Sequence, residues 1–181
     1  AGLSRPMILH DKNIYKSIDL NIVGTANITK VCAKYNIKLI YFSTHYVYPG
    51  TKGNYTEEDS LQPINNYAWS KLGGEASVQM YKNSLILRAC MTEKPFIHKE
   101  AFNDVEMNFM YHEDLARNLL KLLKYKGIIN VGGNKKIVYD FAKNSNKKIK
   151  PMSAKKIFDK NFPLKQSMSL KKYQKIIKNN F

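Results

Sequence analysis

Tyr67 and Lys71 stand four residues apart, and Ser43-Thr44 precede that pair by about two dozen positions. On a helix, residues i and i+4 leave the same face one turn apart. A free tyrosine has a pKa of about 10 and is a poor acid or base at neutral pH. A lysine ammonium one turn away favours the phenolate and lowers that pKa, which brings proton transfer within range. A hydroxyl from Thr44 could share a substrate oxygen and hold it against the phenol. Tyr-x-x-x-Lys alone is a weak signal, since two common residues fall at this spacing by chance. Joined to a Ser-Thr at a strand end, it is strong.

The elements that must position these groups are legible. Residues 37–42 (Ile-Lys-Leu-Ile-Tyr-Phe) read as a short buried strand, because apolar and β-branched residues run together. Ser43 and Thr44 then fall at its carboxyl end, where open α/β sheets place their ligands. Residues 52–66 are polar and turn-forming, and a helix is expected from about Tyr67 through Ala76.

The segments Ser43-Thr44-His45-Tyr46-Val47-Tyr48-Pro49-Gly50, Tyr55-Thr56-Glu57-Glu58-Asp59, Pro63-Ile64-Asn65-Asn66-Tyr67 and Ser70-Lys71-Leu72-Gly73-Gly74-Glu75 together resemble the extended short-chain dehydrogenase/reductases. Within them the likeness is greatest to the dTDP-4-dehydrorhamnose reductases and related nucleotide-sugar-modifying enzymes. The resemblance implies a Rossmann fold, NADP or NAD as cofactor, and a triad in which Thr44 orients a carbonyl, Tyr67 donates a proton, and Lys71 lowers the tyrosine pKa and holds the nicotinamide ribose. It also implies cofactor contacts from a turn at Ala1, Gly2 and Leu3, from Ser43, and from Cys90 and Met91. Asn21, within Asn-Ile-Val-Gly-Thr, is implied to stand beside the site and support a water-linked proton path. Asn66 and His45 fall on the substrate side, and His45 departs from the acidic residue usual there.

The 181 residues suit one domain, with 44% hydrophobic residues for a core. No run of eighteen apolar residues exists, so no membrane span is expected, and no signal peptide is read at the start. Cys32 and Cys90 read as reduced packing residues of a cytoplasmic protein, with no metal-ligand spacing around them. The net charge of +16 comes from 30 Lys+Arg against 14 Asp+Glu, and the only arginines are Arg5, Arg88 and Arg117. Specific nucleic-acid readers lean on arginine for base contacts, so the excess reads as lysines on solvated faces, with no nucleic-acid partner expected; without a spanning run, no membrane partner is expected either.

Residues 11–36 read as one helix with Asp11 as its cap and an apolar stripe of Ile14, Ile18, Ile22, Thr25, Ile28, Cys32 and Tyr35. Gly24 inside it costs about 1 kcal/mol relative to alanine, which suggests close packing there. Residues 84–89 read as the next buried strand, with Arg88 an ion-paired strand end. Residues 93–111 look like a shortened substrate lobe. A helix should start near His112 with Leu115, Leu119, Leu120, Leu122 and Leu123 inward, a glycine-ended strand follows at residues 127–133, and Ser169 is expected to cap a last helix.

The fold class expected is therefore α/β: a Rossmann-like parallel sheet with flanking helices, plus a small C-terminal substrate lobe. Residues 1–92 would hold the partial dinucleotide-binding region and triad, and residues 93–181 the lobe with returning helix and strand elements. No Gly-x-Gly-x-x-Gly occurs among the nine glycines, so the first strands and the phosphate cradle are expected from a preceding half, on this or a complementing chain. The expected activity is NAD(P)-dependent reduction of a nucleotide-sugar 4-keto group. The alternatives are an epimerase or dehydratase using the same triad, or a non-catalytic binding subunit; a homodimer is possible.

Overall fold

The computed structural model describes residues 2–158 and 162–178, so Ala1 lies outside the described residues. Its centre is a three-stranded parallel sheet in the order β1-β2-β7, formed by Leu39–Thr44, Ser84–Ala89 and Gly127–Val131. β2 is buried along its whole length. That is what a continuous Leu-Ile-Leu run in the middle of a parallel sheet requires. The register sets Ser43 beside Arg88 and Thr44 beside Ala89, then Arg88 beside Asn130.

The helix expected over residues 11–36 is broken into α1 (Leu9–Lys12), α2 (Ile14–Ile18), a π-helical turn (Asp19–Val23) and α3 (Gly24–Lys34). Asn13 leaves helical geometry and its side chain accepts from the Lys16 N–H at 2.9 Å, which restarts the helix at α2. The expected apolar stripe is largely turned outward: Ile14, Ile18, Ile28 and Tyr35 are exposed, whereas Ser17, Asn21, Thr29 and Cys32 are buried. The cause is the partner. This segment packs on α4 (Asn66–Gln79) at a pair of glycines, where backbone approaches so closely that small and polar side chains fill the contact. A Cβ on Gly74 would stand 2.4 Å from the Asn21 carbonyl oxygen and 2.6 Å from the Tyr41 hydroxyl.

Beyond β2 come β3 (Met91–Thr92), β4 (Glu100–Phe102), β5 (Glu106–Met107) and β6 (Met110–Tyr111), then α5 (His112–Leu122). After β7 follow β8 (Lys136–Ile137), α6 (Val138–Lys143), β9 (Lys150–Met152), α7 (Ala154–Ile157) and α8 (Lys171–Lys178). The short strands pair as β3-β6, β4-β9 and β5-β8 and frame a second core around Val47, Tyr55, Phe96, Val105 and Met107. α5 and α8 close one face of the sheet over Leu85, Leu87, Ile129 and Val131, each such side chain contributing about 1.5–3 kcal/mol of burial. Leu115 and Leu122 face inward as the periodicity predicts, but Leu120 is exposed. Gly132 and Gly133 are packing glycines: a Cβ would meet the Asn108 and Phe109 carbonyl oxygens at 2.5 and 2.4 Å. α8 begins beyond Ser169, whose N–H donates to the Tyr55 carbonyl at 2.7 Å instead.

A buried polar chain joins the two cores. The Ser43 hydroxyl donates to Glu75 Oε2 at 2.5 Å, and Arg88 donates to Glu75 Oε1 through Nε at 3.1 Å and Nη2 at 2.7 Å. Arg88 Nη1 donates to the Tyr48 hydroxyl at 2.8 Å, and Tyr48 donates to Asn130 Oδ1 at 2.8 Å. Arg88 thus has the ion-paired strand-end role expected of it, with Glu75 fully buried.

Candidate active site

β1 delivers Ser43 and Thr44 to the carboxyl end of the sheet, and the chain then turns through a 3₁₀ segment, His45–Val47, where Thr44 Oγ1 accepts from the Tyr46 N–H at 3.3 Å. α4 starts on the far side of the loop. Its N-cap is Asn65, whose Oδ1 accepts from the Ala68 N–H at 2.8 Å. That fixes the first turn and with it Tyr67, which lies half-buried with the Thr44 hydroxyl near enough to act on its phenol. The structure therefore brings together the two oxygens that the sequence paired.

Lys71 sits on the same helix, but its ammonium is turned to Tyr41, 4.2 Å from that ring's centroid. Burial lowers its pKa to about 8, partly offset by the Glu75 carboxylate. The lowering expected for Tyr67 is not observed. Burial raises the phenol pKa, opposed by the nearby Thr44 hydroxyl and by the charge of Arg5. The cation acting on Tyr67 is thus Arg5, which stands just past the Leu3 turn and pairs with Glu93 across the site.

Asn21 is fully engaged. Its Oδ1 accepts from the Leu3 N–H at 2.8 Å, and its Nδ2 donates to the Leu3 carbonyl at 2.8 Å and to the Ser70 hydroxyl at 2.8 Å. Its carboxamide clamps the Gly2-Leu3 segment to α4 rather than standing open to the expected water path. The π-helical turn is what aims it there; such turns gather at functional positions.

Other expected residues do not join the site. Cys90 is completely buried, its thiol pKa pushed up by desolvation, and its N–H and carbonyl are bound to Val131 and Met110. It has no surface to offer a cofactor, whereas Met91 is half-buried. Asn66 is exposed and donates to Asp11 Oδ1 at 2.8 Å, so it ties α1 to α4. His45 is packed against Tyr46 with ring centroids 3.9 Å apart, and burial lowers its pKa to about 4. It is a neutral packing histidine, not a substrate contact.

The sequence reading missed His10. It is buried, its Nδ1 lies 2.7 Å from the Ser17 hydroxyl, and its ring meets Tyr67 edge-on at 5.1 Å. No motif marks it, and the fold alone brings it to α4. Among the described residues no group of side chains could hold a metal ion, and no helix is long and apolar enough to cross a membrane.

Comparison with known proteins agrees with this geometry. Residues 11–92 match the family model described as RmlD substrate binding domain. Over 89 residues the chain is 38% identical to methionine adenosyltransferase 2 subunit beta of Xenopus laevis, covering 49% of this chain and 26% of that protein. Its fold matches a hypothetical dTDP-4-dehydrorhamnose reductase from Sulfolobus tokodaii with a TM-score of 0.82 at 24% identity, covering 97% of this chain and 71% of the other. It matches dTDP-4-dehydrorhamnose reductase from Bacillus anthracis, solved with NADP, with a TM-score of 0.79 at 20% identity, covering 100% and 71%. Residues 11–92 thus match the RmlD substrate binding domain, and the chain as a whole has the parallel α/β fold seen in the dTDP-4-dehydrorhamnose reductases.

Proposed function

We propose that this chain carries the proton-transfer end of a nicotinamide-dependent reductase acting on a 4-keto group of a nucleotide-linked deoxysugar, as in dTDP-4-dehydrorhamnose reduction. The observation that carries the reading is the nearness of the Thr44 hydroxyl to the Tyr67 phenol at the carboxyl end of a parallel sheet, with Lys71 on the same helix. Residues 1–92 would form the triad and cofactor side, and residues 93–181 the substrate lobe.

The residues present fit the nicotinamide end of the cofactor. Gly2 presents no side chain, Leu3 is held in place by Asn21 through its N–H and carbonyl, and Tyr67 and Met91 are half-buried. No glycine-rich phosphate cradle lies within these 181 residues. Nicotinamide bound there would supply the hydride. Thr44 would hold the carbonyl oxygen, and Tyr67 would protonate it as charge develops. A raised phenol pKa suits that role, because the group stays protonated at neutral pH yet remains a far better acid than the alcohol it forms.

A second reading is a non-catalytic subunit. The relatives named methionine adenosyltransferase 2 subunit beta support it, as does the Lys71 ammonium lying against Tyr41. Tyr67→Phe in the full-length protein, assayed by NADPH or NADH oxidation with a dTDP-4-keto sugar, separates the two. Catalysis predicts a loss of roughly 10²–10⁴-fold in kcat with KM little changed. Absent turnover in the wild type, with stable capture of a methionine adenosyltransferase catalytic subunit, would overturn the reductase reading.

A further inference from the structure

The amino ends of β1, β2 and β7 lie side by side, because the three strands are parallel neighbours. The loops entering them, residues 35–38, 80–83 and 123–126, are tied into one surface. The Tyr81 hydroxyl donates to the Ile37 carbonyl at 3.0 Å, Asn83 Nδ2 to the Asn36 carbonyl at 3.4 Å, and Lys38 Nζ to the Tyr125 carbonyl at 2.6 Å. Lys172 of α8 joins the same end, donating to the Ile128 carbonyl at 2.6 Å. This surface is at the opposite end of the strands from Thr44.

Its charge is of one sign. Lys34, Lys38, Lys82, Lys124, Lys126 and Lys172 fall here, and residues 20–56, 76–92, 115–139 and 162–178 contain no Asp or Glu. Burial and the neighbouring Lys126 both hold the Lys38 pKa below its ordinary value, so like charges stand close together here. Apolar tips stand among the lysines: Met80 is 86% exposed, Tyr35 63% and Ile37 52%.

We propose that this end of the sheet is a docking face for a bilayer surface rich in anionic phospholipid headgroups. Lysine ammoniums are point charges that meet lipid phosphates without a fixed geometry, and apolar tips between them seat at the headgroup boundary. Single-stranded nucleic acid would call for stacking platforms, and of the tyrosines here only Tyr35 is exposed, Tyr81 and Tyr125 being half-buried. The expectation of no membrane partner rested on the lack of a spanning segment, which a peripheral face does not need. Docked this way, the Thr44–Tyr67 end points away from the lipid, open to soluble substrate.

The test is co-flotation of the full chain with vesicles of neutral phosphatidylcholine or of phosphatidylcholine containing phosphatidylglycerol, at low and physiological salt. Binding should rise at least tenfold with the anionic lipid and fall steeply with salt. The triple variant Lys34→Glu/Lys82→Glu/Lys126→Glu should lose it. A control reversing the same charge elsewhere, Lys147→Glu/Lys148→Glu/Lys155→Glu, should keep most of it, with both variants matched to wild type by circular dichroism. Met80→Ser/Ile37→Ser should weaken binding while leaving its salt dependence intact. Equal binding to neutral vesicles, equal loss in the control, or tighter binding to single-stranded RNA than to anionic vesicles would overturn the proposal.

Discussion

The Lys71 ammonium lies 4.2 Å from the centroid of the Tyr41 ring, and the Tyr41 hydroxyl donates back to the Lys71 carbonyl at 2.9 Å. The side chain that the motif assigns to the phenol of Tyr67 is thereby held inside the fold with its charge poorly solvated, which lowers its pKa to about 8. Below about pH 8 both folded and unfolded chains carry this proton, and the burial cost is present in full. Between about pH 8 and 10.5 only the unfolded chain holds it, so stability from this group rises with pH. Lys71→Met should therefore raise the urea midpoint at pH 7, and the gain should vanish as the pH approaches 10.5. A midpoint lowered at pH 7 would show that the contacts with Tyr41 and Glu75 outweigh the desolvation.

The clamp between Asn21 and Leu3 makes a separate prediction. Asn21→Ala leaves the Leu3 N–H and carbonyl and the Ser70 hydroxyl without that partner, at a cost of about 1–3 kcal/mol. Amide hydrogen exchange at Leu3 should quicken far more than at β2. Gly74→Ala attacks the same contact from α4, since its Cβ has no room beside the Asn21 carbonyl. It should destabilise by at least about 1–3 kcal/mol through overpacking, read from denaturant unfolding.

Glu75 and Arg88 are 0% and 2% exposed, so either one alone is a stranded charge. Glu75→Gln should cost about 3–5 kcal/mol. The double change Glu75→Leu/Arg88→Met should recover much of that loss, although Ser43 and Tyr48 would lose partners. Stability measured across the four-member cycle checks the coupling.

His45 reports through pH. Its folded pKa of about 4 lies below the model-peptide value of 6.5 because burial disfavours the imidazolium. Its contribution is full above about pH 6.5 and is lost as the pH falls from there towards 4, because the unfolded chain takes up the proton first. His45→Phe should flatten the fall in melting temperature between pH 6.5 and 4.5. His10, lowered in the same direction by burial, leaves a residual slope.

What the sequence made legible was set by local pattern. The apolar run of residues 85–87 could only be a buried strand, and Thr44, Tyr67 and Arg88 took the places that strand ends and helix spacing prescribe. The helix before β1 was legible as helix but not in its inward face. Its partner is the Gly73-Gly74 surface, so Ser17, Asn21 and Thr29 are buried where periodicity favoured Ile14 and Ile28. Arg5 and His10 carried no signal because each meets Tyr67 only through the tertiary fold. Lys71 had the right spacing, but spacing fixes the Cα and not the rotamer, and the ring of Tyr41 offers the ammonium a nearer place.

The polar chain from Ser43 through Glu75, Arg88 and Tyr48 to Asn130 also bears on motion. Asn130 Nδ2 donates onward to the Tyr55 carbonyl at 3.0 Å, so every link of this chain has both ends buried. Swinging one core away from the other would orphan several of these groups at once. The molecule consequently has no cheap hinge between its two cores. They should melt as one cooperative unit, and closure over substrate should fall to the loops at the carboxyl ends of the strands.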